Sequence, residues 1–319
     1  MKFRTEIEIL PYDRQLSYDD RLLALGSCFA TEIGRRMAES KFRIAVNPSG
    51  VLFNPLSIVR TLRRYRDGRP VAKEELQHAD GRWFHYDFHG SLAGDTADEA
   101  LTRIDAAVAE GARALHEASA VLLTLGTAWV YERTDTGDVV ANCHRQPAER
   151  FRRRRLSVEE VVSAIESVLP DESSGKRILL TVSPVRHLGD GLAGNAVSKA
   201  VLRLAAEELS ERHAQVAYFP AYEILTDDLR DYRFYADDLV HPSQQAQQYI
   251  WELFTAATLT EEALRKLPQV EAVTTAAGHR PLHPESDEYR RFCRKQLEII
   301  ESLPEIDLSR EKEFFNQFL

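Results

Sequence analysis

Apolar residues recur along the chain in two rhythms. Short, nearly unbroken runs stand at 22–26 (Leu22-Leu23-Ala24-Leu25-Gly26), 42–46, 120–125, 177–182 and 216–219. Each is too short for a helix, as a strand buried on both faces of a parallel sheet reads. Between them apolar residues return every three or four positions, as one face of a helix requires. Phe29, Ile33 and Met37 mark a helix over 29–40; Leu101, Ile104, Val108 and Leu115 mark one over 98–119. Val197, Val201, Leu202, Leu204 and Leu209 mark a third over 195–212. Further helices are predicted at 56–64, 157–169, 244–254, 261–267 and 285–301. Five strands alternating with helices predict an α/β fold, a three-layer doubly wound five-stranded parallel sheet. That domain spans 1–257, with a helical C-terminal extension over 258–319.

The rest of the chain is less periodic. Residues 1–20 predict a lead-in strand or arm, with Ile7, Ile9 and Leu10 placed to pair at a sheet edge. Trp83 to His89 alternates aromatic and polar residues, and 65–95 is expected to form part of a substrate wall. Trp129–Glu132 and Val139–Ala141, around Asp135-Thr136-Gly137, predict a hairpin. The basic run Arg150-Phe151-Arg152-Arg153-Arg154-Arg155 is expected to be a solvated loop. Residues 272–284 read as a linker. The last 35 residues, ending in apolar Phe314 to Leu319, are expected to pack on the domain or to join two copies as a homodimer.

Composition narrows the functional classes. The 319 residues hold 41 Lys and Arg against 50 Asp and Glu, a net charge of −9 with His neutral. Nucleic-acid partners need a basic face, so they are not expected. No stretch approaches the ~20 apolar residues of a membrane span. Cys28, Cys143 and Cys293 are too few and too scattered for a disulfide framework, and a reduced cytoplasm is expected. His85 and His89 lack a third ligand of matching spacing. No metal and no cofactor is expected.

Candidate chemistry gathers at strand ends. Ser27 follows the first strand and precedes the first helix, at the edge where ligands of open α/β sheets bind. A hydroxyl there is either an N-cap or a nucleophile with helix-start amides beside it. Near the other end, Asp238 and His241 stand three apart in Asp237-Asp238-Leu239-Val240-His241-Pro242-Ser243. One turn brings that carboxylate to one ring nitrogen and leaves the other to take a serine proton. Asp237 is the rival for the carboxylate. The fourth strand delivers Arg186 and His187 to the same edge, where Arg186 would hold an anion or pair internally and His187 would orient a substrate hydroxyl.

Gly26-Ser27-Cys28-Phe29-Ala30 resembles the opening of the GSCFA family, named for that pentapeptide. The resemblance continues through Asn47 to Pro55, Thr124 to Trp129, Asn142-Cys143-His144, Thr181 to His187 and Tyr218 to Ile224, over roughly residues 20–255. That family is similar to the wider SGNH/GDSL hydrolases. The resemblance implies the strand order 2-1-3-4-5 and a serine esterase or acyltransferase with Ser27, Asp238 and His241 as triad. Gly50 would give an oxyanion amide beside that of Ser27. The clan's Gly-x-Asn-Asp reads here Gly126-Thr127-Ala128-Trp129, so its Asn is missing, and Thr127 or Asn142 would substitute, with His144 beside it. The substrate class implied is an O-acylated small molecule or carbohydrate. Two alternatives stand: an inactive binding module of the same fold, and Cys28 as nucleophile.

Overall fold

The computed structural model describes residues 4–319. Among them ten strands form: β1 (Arg21–Gly26), β2 (Arg43–Val46), β3 (Gln77–Ala79), β4 (Arg82–Phe84), β5 (Ala120–Leu125), β6 (Trp129–Arg133), β7 (Val139–Val140), β8 (Phe151–Arg155), β9 (Arg177–Val182) and β10 (Val216–Phe219). The helices are α1 (Cys28–Glu39), α2 (Pro55–Asp67), α3 (Ala97–Glu117), α4 (Val158–Glu166), α5 (Gly191–Arg212), the short α6 (Ala221–Glu223), α7 (Gln244–Thr258), α8 (Glu261–Gly278), α9 (Asp287–Glu301) and α10 (Ser309–Asn316).

β2, β1, β5, β9 and β10 lie side by side in that order, and every pairing between them is parallel. This is the predicted 2-1-3-4-5 order. Successive side chains of β1 point to opposite faces, so each face packs its own core. Leu23 and Leu25 join the cluster under α2, α3, α4 and α5. Leu22 and Ala24 join the cluster under α1 and α7. The sheet is therefore covered on both sides, as a doubly wound fold requires.

That second cluster also takes Leu267, Val270, Val273, Cys293, Ile300, Leu308 and Phe315. The C-terminal helices thus pack on the domain, against Phe29, Ile33 and Met37 of α1. α8 is longer than predicted. It runs through Pro268 to Gly278, into the expected linker, because Val270 and Val273 beyond the proline are fully buried. The N-terminal arm makes a single parallel bridge, Leu16 to Leu259, and follows the end of α7, where the Leu16 N–H donates to Thr258 O. It does not extend the sheet edge. Residues 1–3 of the expected arm lie outside the described residues.

The basic run is a strand, not a solvated loop. β8 pairs with β6, opposite the hairpin strand β7. Pairing of β6 with β8 sets Glu132 opposite Arg152. Arg152 and Arg154 both donate to Glu132, a buried carboxylate that needs such partners.

Candidate active site

The strand ends are stitched together by the loops that leave them. After β1, Gly26 takes φ +134°, where a Cβ would sit 2.1 Å from Thr124 O. Only glycine accepts that approach. Its N–H donates to Asn47 Oδ1 at 2.8 Å, and Asn47 Nδ2 donates to Thr31 Oγ1 at 2.9 Å. One side chain after β2 therefore fastens the β1 turn to α1. Leu52 N–H donates to Gly26 O, and Phe53 O accepts from Gly126 and Thr127. Gly126 is packed so closely that a Cβ would stand 3.2 Å from Ser27 Cβ.

Ser27 caps α1. Its Oγ accepts from Phe29 N at 3.4 Å, and the residue is 2 % exposed. It stands at the predicted strand-to-helix turn, and its hydroxyl oxygen is engaged as the cap. Ser27 N–H donates to Thr124 O, and Gly50 N–H donates to Asn47 O across a tight turn at 2.7 Å. Thr127 Oγ1 meets Ser198 Oγ at 3.1 Å. Asn142 Oδ1 accepts from His144 N at 2.7 Å. The Ser27 and Gly50 amides are thus engaged within the fold, whereas Asn142 uses only its accepting oxygen in this contact. His144 stacks on Phe84 at 4.2 Å, its Nε2 meets His85 O and Phe88 O at 3.1 Å, and burial pushes its pKa down to about 4. It braces the aromatic segment rather than offering an ionised group. Gly50 (φ +81°) lies against His89, so this segment lines the loop after β2.

Asp238 and His241 do come together. His241 Nδ1 donates to Asp238 Oδ2 at 2.7 Å. Asp238 Oδ1 accepts from the Val240 and His241 amides at 2.9 and 3.0 Å. The bonds from the His241 amide, the His241 ring and the Val240 amide pull the carboxyl pKa down to about 2. The pair is half exposed. This turn is tied to the β9 loop: Arg186 N–H donates to Val240 O, its Nη1 donates to Leu239 O at 3.3 Å, and its guanidinium covers the Tyr235 ring at 4.0 Å. Arg186 therefore holds the dyad turn instead of standing free for an anion. No hydrogen bond joins His241 to Ser27 among the described residues.

The inner face of α5 carries polar residues that the apolar pattern hid. Val197 and Leu204 are exposed, while Asn195, Ser198 and Lys199 are buried. Asn195 Oδ1 accepts from His187 N at 3.0 Å, and Ser198 Oγ accepts from Ala128 N at 2.7 Å. Lys199 Nζ donates to Gly126 O and Ser183 O, both at 2.7 Å. Fully buried, it has its pKa pushed down to about 7. Spacing of three and four from Leu202 was the signal available in the sequence.

A family model described as GSCFA family matches residues 21–254, and one described as GSCFA domain protein, C-terminal domain, matches residues 270–319. The chain belongs to the GSCFA family. No curated protein and no solved structure matches it. In this GSCFA protein the pentapeptide is the β1 turn itself: Gly26 for its backbone, Ser27 for the cap, Phe29 and Ala30 for the core. Cys28 is half-buried, and burial pushes its thiol pKa up, contrary to what a nucleophilic thiolate requires. The family match ends close to the end of α7, and the second begins within α8. No helix among the described residues is long and apolar enough to cross a membrane.

Proposed function

We propose that this GSCFA protein is a serine-dependent acyl-ester hydrolase or O-acyltransferase acting on an O-acylated small molecule or carbohydrate. The observation that carries this reading is the Asp238–His241 pair, formed on a turn that Arg186 fastens to the sheet edge bearing Ser27. With Nδ1 donating to Asp238, the imidazole keeps Nε2 for proton transfer. Ser27 Oγ attacks the ester carbonyl as His241 Nε2 takes its proton. The tetrahedral oxyanion collapses, and the alcohol leaves with that proton. Water or an acceptor hydroxyl, deprotonated by His241, then releases the acyl group, and Ser27 regains its proton. For this to occur the Ser27 hydroxyl, whose oxygen accepts from the Phe29 amide, must come within hydrogen-bond reach of His241 Nε2. The resemblance to SGNH/GDSL hydrolases supports the same roles.

A binding module is the second reading. The buried Ser27 and the engaged amides of Ser27 and Gly50 favour it. Turnover of short p-nitrophenyl esters separates the two. Activity lost in both Ser27→Ala and His241→Ala supports the hydrolase. Activity that survives Ser27→Ala contradicts it, and a folded protein that turns over no ester yet binds carbohydrate esters favours the module.

A further inference from the structure

A second histidine–carboxylate pair stands on the same edge, outside the Asp238–His241 turn. His187 Nδ1 lies 3.2 Å from Asp190 Oδ2; both atoms are buried, and neither has a hydrogen-bond partner, each other included. The Asp190 side chain is 2 % exposed and ion-paired with Arg153, whose guanidinium lies 4.1 Å over the Trp129 ring. The His187 side chain, by contrast, is 41 % exposed. Its ring meets Phe53 edge-on at 6.3 Å, and Phe53 O receives the Gly126 and Thr127 amides. One residue therefore separates His187 from the Gly126 contact with Ser27.

A buried Nδ1 facing a buried carboxylate has one low-energy arrangement. With the proton on Nδ1 a small ring rotation completes the bond to Asp190, whereas two facing lone pairs would leave both atoms desolvated and unpaired. Nε2 then holds a lone pair on the exposed part of the ring. Burial, with the Lys199 and Arg153 cations nearby, disfavours a second proton. A neutral imidazole with an accepting Nε2 recognises a hydroxyl rather than an anion.

We propose that Asp190 and Arg153 are positioning residues that lock His187 with Nε2 as the hydrogen-bond acceptor for a hydroxyl of a polyol or carbohydrate substrate. The hydroxyl's part in acyl transfer rests on the function proposed above; the lock itself does not.

Long-range proton–nitrogen correlation on the full chain labelled with 15N-histidine tests both parts, with His187→Gln assigning the ring. The expected result is the Nδ1–H tautomer in the native protein and a substantial Nε2–H population in Asp190→Asn. Glycerol and methyl α-glucoside should shift the native Nε2 resonance, with affinity falling about tenfold in Asp190→Asn, the scale of one lost oriented hydrogen bond. A native Nε2–H or doubly protonated ring, or an unchanged tautomer in Asp190→Asn, overturns the lock. Should that variant not fold, the native tautomer alone decides. No Nε2 shift with either polyol overturns hydroxyl recognition. None of these readouts needs ester turnover, so they stand apart from failure of the hydrolase reading.

Discussion

His241 Nδ1 donates to Asp238 Oδ2 at 2.7 Å, while the other oxygen of Asp238 receives two amides of the same turn. The carboxylate is thereby fixed as an anion, with a pKa of about 2 against an ordinary 3.8. A lowered acid pKa favours the folded form as the anion, so its contribution is complete above 3.8 and lost as pH falls through about 2. Asp238 then does not titrate near neutrality, and an acid limb in an ester-turnover profile reports another group. Asp238→Asn should lower kcat by roughly 10³–10⁴ through loss of the oriented tautomer, with secondary structure by circular dichroism unchanged.

Lys199 supplies a different pH signature. Its folded pKa of about 7 lies below the ordinary 10.5. The unfolded chain therefore binds more protons across that window, and stability rises with pH. From pH 7 to 9 the gain from this group is on the order of 2 kcal/mol, read as a rising urea midpoint. Lys199→Met should abolish that slope; an equal slope in the variant contradicts the assignment.

Gly26→Ala tests the β1 turn. Its Cβ would meet Thr124 O at 2.1 Å in a backbone conformation at φ +134°. A stability loss of about 3 kcal/mol or more is expected in urea unfolding. A loss within about 0.5 kcal/mol, the range of neutral surface changes, contradicts this.

Phe315→Ala tests the C-terminal helices. Phe315 is fully buried in the cluster that also holds Phe29 and Met37. Its truncation should cost about 3–5 kcal/mol, and deletion of residues 285–319 should leave the α1 face exposed and the protein prone to aggregate. Unaltered urea midpoints in the point variant contradict shared packing.

The central sheet was legible because β1 and β5 are apolar on both faces, and only a parallel strand covered by helices reads that way. The Ser27 cap and the Asp238–His241 pairing were legible because a cap position and a three-residue spacing are local relationships. α5 was not. Its Val197 and Leu204 fit a helical stripe but face solvent, whereas Ser198 and Lys199 face inward to satisfy strand-end amides and carbonyls. Such polar burial depends on partners distant in sequence. The same holds for the β8 arginines, whose partner Glu132 sits across a strand pairing, and for Pro268, whose effect on α8 was overridden by burial of Val270 and Val273. The engagement of the Ser27 amide by Thr124 likewise depends on a neighbouring strand that spacing does not reveal.

The central claim is that Ser27 is activated through His241. Exposure of the native protein, Ser27→Ala and His241→Ala to a fluorophosphonate, followed by intact mass and peptide mapping, tests it most directly. One adduct on Ser27 in the native protein, lost in Ser27→Ala and strongly slowed in His241→Ala, is the predicted result. A folded native protein that forms no adduct, or labels at Ser27 equally fast without His241, contradicts the claim.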